Sequence, residues 1–237
     1  MPQTLVVIQN DPDKSLGLIG DGLTRAGVEL DTRSPDRDLP SVRDYAGLVV
    51  LPGLADPVDE TAAVQRARDA IDEALEAEMP ILGLCLGGQL LAQALGGSVY
   101  ECPLEQGFHD VLTAPGASGD PLLGGAPDRF SVFHAHAYAF EPPPSAESLL
   151  VNDVCVQACR MRNTWAFQCH PEATPEWVIA LAAGIRGENG GLRAVTADFF
   201  ARNGVEPEQL EHDLRKAEPM MREVAAGIAS GFADQLA

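Results

Sequence analysis

Met79-Pro80-Ile81-Leu82-Gly83-Leu84-Cys85-Leu86-Gly87-Gly88-Gln89 runs from an apolar stretch into a glycine-rich turn carrying a single thiol. The apolar half reads as a buried strand, and the residues after Cys85 read as the start of a helix. A sharp strand-to-helix turn needs glycines, because side chains there would wall off the reacting atom. A cysteine at a helix start also sits at the positive end of the helix dipole, which favours the thiolate. The same pattern fits a buried core cysteine, so the segment needs a chemical partner elsewhere in the chain.

That partner lies downstream, in Trp165-Ala166-Phe167-Gln168-Cys169-His170-Pro171-Glu172. An apolar strand ends in His-Pro-Glu, and the proline restricts how the backbone leaves the strand. A histidine that takes the thiol proton, held by a carboxylate, is the general recipe for an activated nucleophile. Cys85, His170 and Glu172 are therefore the candidate catalytic residues.

Together the two segments resemble the class I (triad-type) glutamine amidotransferase family, in its stand-alone, GMP-synthase-like form. That family carries a Gly-x-Cys-x-Gly-x-Gln elbow and a later Gln-Phe-His-Pro-Glu. Two weaker landmarks follow the same order. Leu51-Pro52-Gly53-Leu54 stands at the family's Gly-Gly-Pro turn, and Val132-Phe133-His134-Ala135-His136-Ala137-Tyr138 stands at its His-Gly-Asp strand. The resemblance covers roughly residues 4–185. It implies oxyanion donors at the backbone of Gly53 and Leu86, and glutamine contacts from Gln89, Ala135, Ala137 and Tyr138. Pro52, Leu54, Cys169, Ala137 and Tyr138 depart from the family pattern. Cys169 is expected to point into the core, away from His170. No cofactor is implied.

The implied reaction is hydrolysis of the glutamine side-chain amide through a γ-glutamyl thioester, releasing ammonia for an acceptor. The alternatives are a γ-glutamyl peptide or conjugate hydrolase using the same triad, and a non-enzymatic binding or regulatory protein.

Thirty-five acidic against 16 basic residues leave a net charge of −19, which argues against nucleic-acid or anionic-membrane partners. No apolar run approaches the ~20 residues of a membrane span. Leu5-Val6-Val7-Ile8 reads as a first strand rather than a leader peptide. Five cysteines without a disulfide pattern fit a reducing cytoplasm. Cys155 and Cys159 are expected to share one face of a strand as core thiols. His134-Ala135-His136 has metal-pair spacing, but no carboxylate or cysteine pattern completes it, so no metal is expected.

Apolar runs alternating with helical patterns predict an α/β fold. The expected form is flavodoxin-like: an open, mostly parallel sheet flanked by helices, with a small antiparallel ribbon and a C-terminal helical extension. Strands are predicted at 5–9, 28–32, 47–51 and 79–84. Helices are predicted at 15–26, 59–77, from the elbow to 95, and at 175–185. Residues 99–167 read as short, turn-rich antiparallel runs. The division is 1–188 for the amidotransferase domain and 189–237 for the extension, with a linker at 187–191. Leu210, Leu214, Ala217, Met221, Val224, Ile228, Phe232 and Leu236 form an apolar stripe, interrupted or kinked at Pro219. It is expected to pack on the parent domain or to meet a synthetase partner or a second copy.

Overall fold

A computed structural model describes residues 3–12, 14–188 and 194–236. Within them the strands are β1 (Thr4–Ile8), β2 (Glu29–Arg33), β3 (Gly47–Val50), β4 (Ile81–Leu84), β5 (Ser98–Thr113), β6 (Arg129–Glu141), β7 (Glu147–Val151), β8 (Val156–Met161) and β9 (Thr164–Phe167). The helices are α1 (Gly17–Arg25), α2 (Ala62–Glu76), α3 (Leu86–Ala94), α4 (Pro175–Ile185), α5 (Ala194–Arg202) and α6 (Pro207–Ala233). All the strands join one sheet, in the order β2-β1-β3-β4-β9-β8-β7-β5-β6. Strands β2, β1, β3, β4 and β9 run parallel, and the rest extend the sheet antiparallel.

The uninterrupted apolar runs of β1, β3 and β4 follow from burial on both faces. Leu5, Val7, Val49, Leu82 and Leu84 face a core filled from α1, α4 and α6, while Val6, Ile8, Leu48, Val50 and Ile81 face α2 and α3. Side chains two apart in a strand therefore serve the same helical layer. Thr61 caps α2 by accepting from the Val64 N–H at 3.3 Å, and Thr174 caps α4 by accepting from the Trp177 N–H at 3.1 Å.

The second half differs from expectation in two ways. Residues 99–141 form one long hairpin, β5 with β6, continuous with the main sheet. Its two strands have 16 and 13 residues, because a register shift between Glu101 and Glu105 lets the ladder resume beyond an irregularity. Cys155 precedes β8 instead of sharing it with Cys159, although both thiols are buried. Most of the linker expected at 187–191 lies outside the described residues.

Helix α6 continues through Pro219, which sits on the solvent side, where water can solvate the carbonyl left without an N–H donor. All eight stripe residues are buried in the same core as α1 and α4. The stripe is thus consumed within the chain and presents no surface to a partner or second copy. No described helix is long and apolar enough to cross a membrane.

Candidate active site

The carboxyl ends of β3, β4 and β9 converge, and ligands in open α/β sheets bind at such ends. Cys85 follows β4 directly and precedes α3, with φ 49° and ψ −108°. That left-handed φ is costly for a residue with a side chain, about 1–3 kcal/mol, and is held only where the surroundings impose it. Here the Cys85 N–H donates to Phe167 O at 2.7 Å, and the Gln89 N–H donates to Cys85 O at 2.9 Å. Gly87 lets α3 approach β3: a Cβ there would lie 2.1 Å from Val50 O. The Leu86 N–H belongs to the first turn of α3, where amides lack helical acceptors and suit an anion.

After β9 the chain makes one bridge, with the His170 N–H donating to Phe133 O at 2.8 Å. His170 Nδ1 lies 2.8 Å from Glu172 Oε1, and both residues are buried. His170 Nε2 has no protein hydrogen bond among the described residues and is left available to the Cys85 sulfur. Burial works against the charged ring, yet the Glu172 carboxylate and Cys85 carry its pKa up to about 9.

Burial raises the pKa of Cys102, Cys155, Cys159 and Cys169. Burial, then Glu105, pushes Cys102 up to about 11, and burial pushes Cys159 up to about 12. Cys169 is fully buried, with its Sγ 3.7 Å from Gln157 O, as expected from strand alternation.

A cleft of about 300 Å³ opens over Cys85. Gly53, Leu86, Gln89, Ala135, Ala137, Tyr138 and His170 all line it with Cys85, and Glu172 stands behind His170 in an adjoining recess. Gly53 sits against Leu86: a Cβ on it would lie 2.8 Å from Leu86 Cδ2 and from Asn10 Cβ. Asn10 Nδ2 donates to Leu51 O at 2.7 Å and so braces this turn. Gln89 lines the cleft, but its Nε2 donates to Tyr138 O at 3.0 Å and to Gln168 Oε1 at 3.2 Å. Its amide nitrogen is spent holding the wall together.

Sequence reasoning missed several lining residues. Lys14 borders the cleft, and Val195, Thr196, Phe199 and Phe200 bring α5 over it. The pair Phe199-Phe200 was the available signal, being more apolar than a linker needs. Gln168, which the sequence places only within the His-Pro-Glu segment, brings its Nε2 to 3.8 Å from Cys85 Sγ.

His136 forms part of the cleft wall, and behind it lies a carboxylate that linear spacing did not reveal. Glu105 Oε2 is 3.2 Å from His136 Nε2 and 3.7 Å from His134 Nδ1. Burial opposes the charge on Glu105, but His136, His134 and Asn152 hold its pKa down at about 2. The His134-Ala135-His136 pair is therefore completed by an acidic residue 29 positions before His134.

The family model for class-I glutamine amidotransferase matches residues 15–177, spanning the elbow and the His-Pro-Glu segment. The chain belongs to the class-I glutamine amidotransferase family. A glutamine-hydrolyzing GMP synthase subunit of Haloarcula marismortui is 40% identical over 106 residues, covering 42% of this chain and 54% of that protein. Its counterpart in Methanocaldococcus jannaschii is 27% identical over 143 residues, 59% of this chain and 71% of its own length. Most of the GMP synthase relatives are thus matched over little more than half their length. A glutamine amido transferase from Methylobacillus flagellatus superposes with TM-score 0.85 at 26% identity, covering all of this chain and 96% of that one. A Thermotoga maritima glutamine amidotransferase, at 20% identity, shares the fold with TM-score 0.85 over 99% of both chains. Both amidotransferase structures are covered almost end to end, so the fold they share includes the C-terminal helices.

Proposed function

We propose that this class-I amidotransferase hydrolyses the side-chain amide of glutamine through a thioester on Cys85. The supporting observation is the buried His170–Glu172 pair beside a thiol held at a strained elbow, with the other four thiols pushed towards the protonated form.

In this reading the Cys85 sulfur attacks the amide carbon. The backbone N–H groups of Gly53 and Leu86 receive the negative oxygen, where one such donor is worth about 10²–10³ in kcat. His170 gives its Nε2 proton to the departing nitrogen, the C–N bond breaks, and ammonia leaves. His170 then takes a proton from water, whose oxygen attacks the thioester. The C–S bond breaks, releasing glutamate and restoring the thiolate. Glu172 keeps the Nδ1 proton on the imidazole throughout. Gln89, Ala135, Ala137 and Tyr138 shape the seat for the amino-acid end of the substrate.

Residues 1–188 form the catalytic unit in this proposal, and the extension 189–237 braces it and roofs the cleft. The ammonia passes to a separate synthetase subunit. Two relatives support this by their names, one a glutamine-hydrolyzing GMP synthase subunit, the other a carbamoyl phosphate synthase small chain. The latter, from Parasynechococcus marenigrum, is 30% identical over 65% of this chain and 40% of its own length. Five free cysteines support a reducing, cytoplasmic setting.

A second reading has one observation of its own. Leu54, Val195 and Phe199 line the cleft and are 58%, 65% and 41% exposed, an apolar mouth suited to a γ-glutamyl conjugate with an apolar leaving group. Steady-state turnover of the full chain with glutamine and with a γ-glutamyl anilide tests both readings, alongside mass mapping of a glutamine-like electrophile. The glutaminase reading expects glutamine turnover, label on Cys85 alone, and stimulation by a co-purifying subunit. Fast, partner-independent anilide cleavage with glutamine a poor substrate would promote the hydrolase. Label spread over Cys102, Cys155, Cys159 or Cys169 would remove the triad assignment.

A further inference from the structure

Glu105, His134 and His136 have no role in the chemistry above, although His136 lines the cleft. All are buried, His134 completely. Strands β5 and β6 bring them together, with Glu105 opposite His136 in the antiparallel register. Their facing atoms form a triangle. His136 Nε2 lies 3.2 Å from Glu105 Oε2, His134 Nδ1 lies 3.7 Å from that same oxygen, and the two ring nitrogens are 3.4 Å apart.

We propose that this triangle is a binding site for a divalent transition-metal ion of the zinc class. Tetrahedral zinc with bonds of 2.0–2.2 Å separates its ligand atoms by roughly 3.3–3.6 Å, which brackets the mean of the observed edges. Two imidazoles and a carboxylate form a donor set that zinc and its transition-metal neighbours prefer over calcium or magnesium. The fourth position belongs to water.

Two further features fit such a site. Asn152 Nδ2 donates to Glu105 Oε1 at 2.6 Å and Gln157 Nε2 donates to Glu105 Oε2 at 2.8 Å, which hold the carboxylate from behind as metal-ligating carboxylates are usually held. Glu105 also borders a cleft of about 780 Å³, separate from the one over Cys85, whose lining includes Asp110, Asp153 and Asp213 together with Arg129 and Lys216. That cleft gives a cation a route to the carboxylate without passing the thiol.

In the bound state His136 would ligate through Nε2, leaving Nδ1 to face Cys102 Sγ at 3.7 Å, and His134 would ligate through Nδ1. A bound ion would pin β5 to β6 behind Ala135, Ala137 and Tyr138. It would thereby fix the wall of the substrate cleft while leaving the thiol chemistry to Cys85.

The test is direct metal binding by the full chain after chelator dialysis. Zn²⁺ is titrated in competition with a chromophoric chelator, and Co²⁺ serves as a spectroscopic substitute. One equivalent of each is expected, with the intense visible bands of tetrahedral Co²⁺ and no thiolate-to-cobalt charge-transfer band. Zinc about 100-fold above its Kd should raise Tm by roughly 5–10 °C. His134→Gln and Glu105→Gln should each weaken binding at least tenfold, a loss of the size seen even for outer supports of metal ligands. Cys102→Ser and Cys85→Ala should bind as the parent does, which separates this site from the catalytic thiol. A charge-transfer band, or binding abolished by either cysteine variant, would overturn the proposal. So would an absence of stoichiometric binding, which would leave the triangle a hydrogen-bonded strut. Should the histidine or glutamate variants fail to fold, the parent Co²⁺ spectrum decides alone. Since no arm requires turnover, failure of the glutaminase reading would not mimic failure of the metal site.

Discussion

Glu172→Gln removes one charge and almost no volume from a buried contact of 2.8 Å with His170. In the native site, burial disfavours the imidazolium, and the carboxylate with Cys85 reverses this to a pKa of about 9. Without the carboxylate, burial is opposed by Cys85 alone, and the His170 midpoint should fall from about 9 towards the ordinary 6.5. A fall of about 2.5 pH units corresponds to roughly 3 kcal/mol, or about 300-fold, in favour of the neutral ring. The glutamine amide also presents a donor that can hold the wrong tautomer, a fault that can cost up to ~10⁴-fold. Glutamine turnover at neutral pH should therefore fall by about 10²–10⁴, with KM changed far less than kcat. The assay pairs kcat and KM with the His170 imidazole resonance followed across pH. Turnover within threefold of the parent, with an unmoved His170 midpoint, would refute the assignment of Glu172 as the group that charges and orients His170.

Phe232 is fully buried and meets Trp165 edge-to-face at 6.0 Å between ring centroids, so Phe232→Ala should cost about 3–5 kcal/mol, read as a lowered denaturation midpoint in the full chain. His170, raised from 6.5 to about 9, stabilises the fold fully below pH 6.5 and progressively less as pH climbs through 9. The difference in unfolding free energy between the parent and His170→Asn should therefore shrink by up to roughly 3 kcal/mol across that window. Denaturant titrations at three pH values would measure it.

The parallel half of the fold was readable because its signals are local. Leu5-Val6-Val7-Ile8, Gly47-Leu48-Val49-Val50 and Ile81-Leu82 are apolar at successive positions, which only a strand covered on both faces requires. The elbow and the His-Pro-Glu turn were readable for the same reason: each needs particular residue types at fixed spacing, whatever surrounds it. Periodicity also marked one face of α6 as apolar, yet it could not say what would cover that face, and the core of α1 and α4 does so. Other features depended on which strands and helices become neighbours. Glu105 meets His136 across 31 residues of chain because β5 and β6 pair in one register and not in another. Gln89 reads as a substrate contact in its motif, and only the packing of β6 and of the residue after β9 against it supplies Tyr138 O and Gln168 Oε1 as acceptors for its amide. Helix α5 roofs the cleft over Cys85, although more than 100 residues separate the two in the chain. Composition and spacing thus determine the sheet core and the candidate reacting groups, because both arise from neighbours along the backbone. The walls of the cleft, the burial of the stripe and the Glu105–His134–His136 triangle are decided by tertiary packing, which sets the distances between groups remote in sequence.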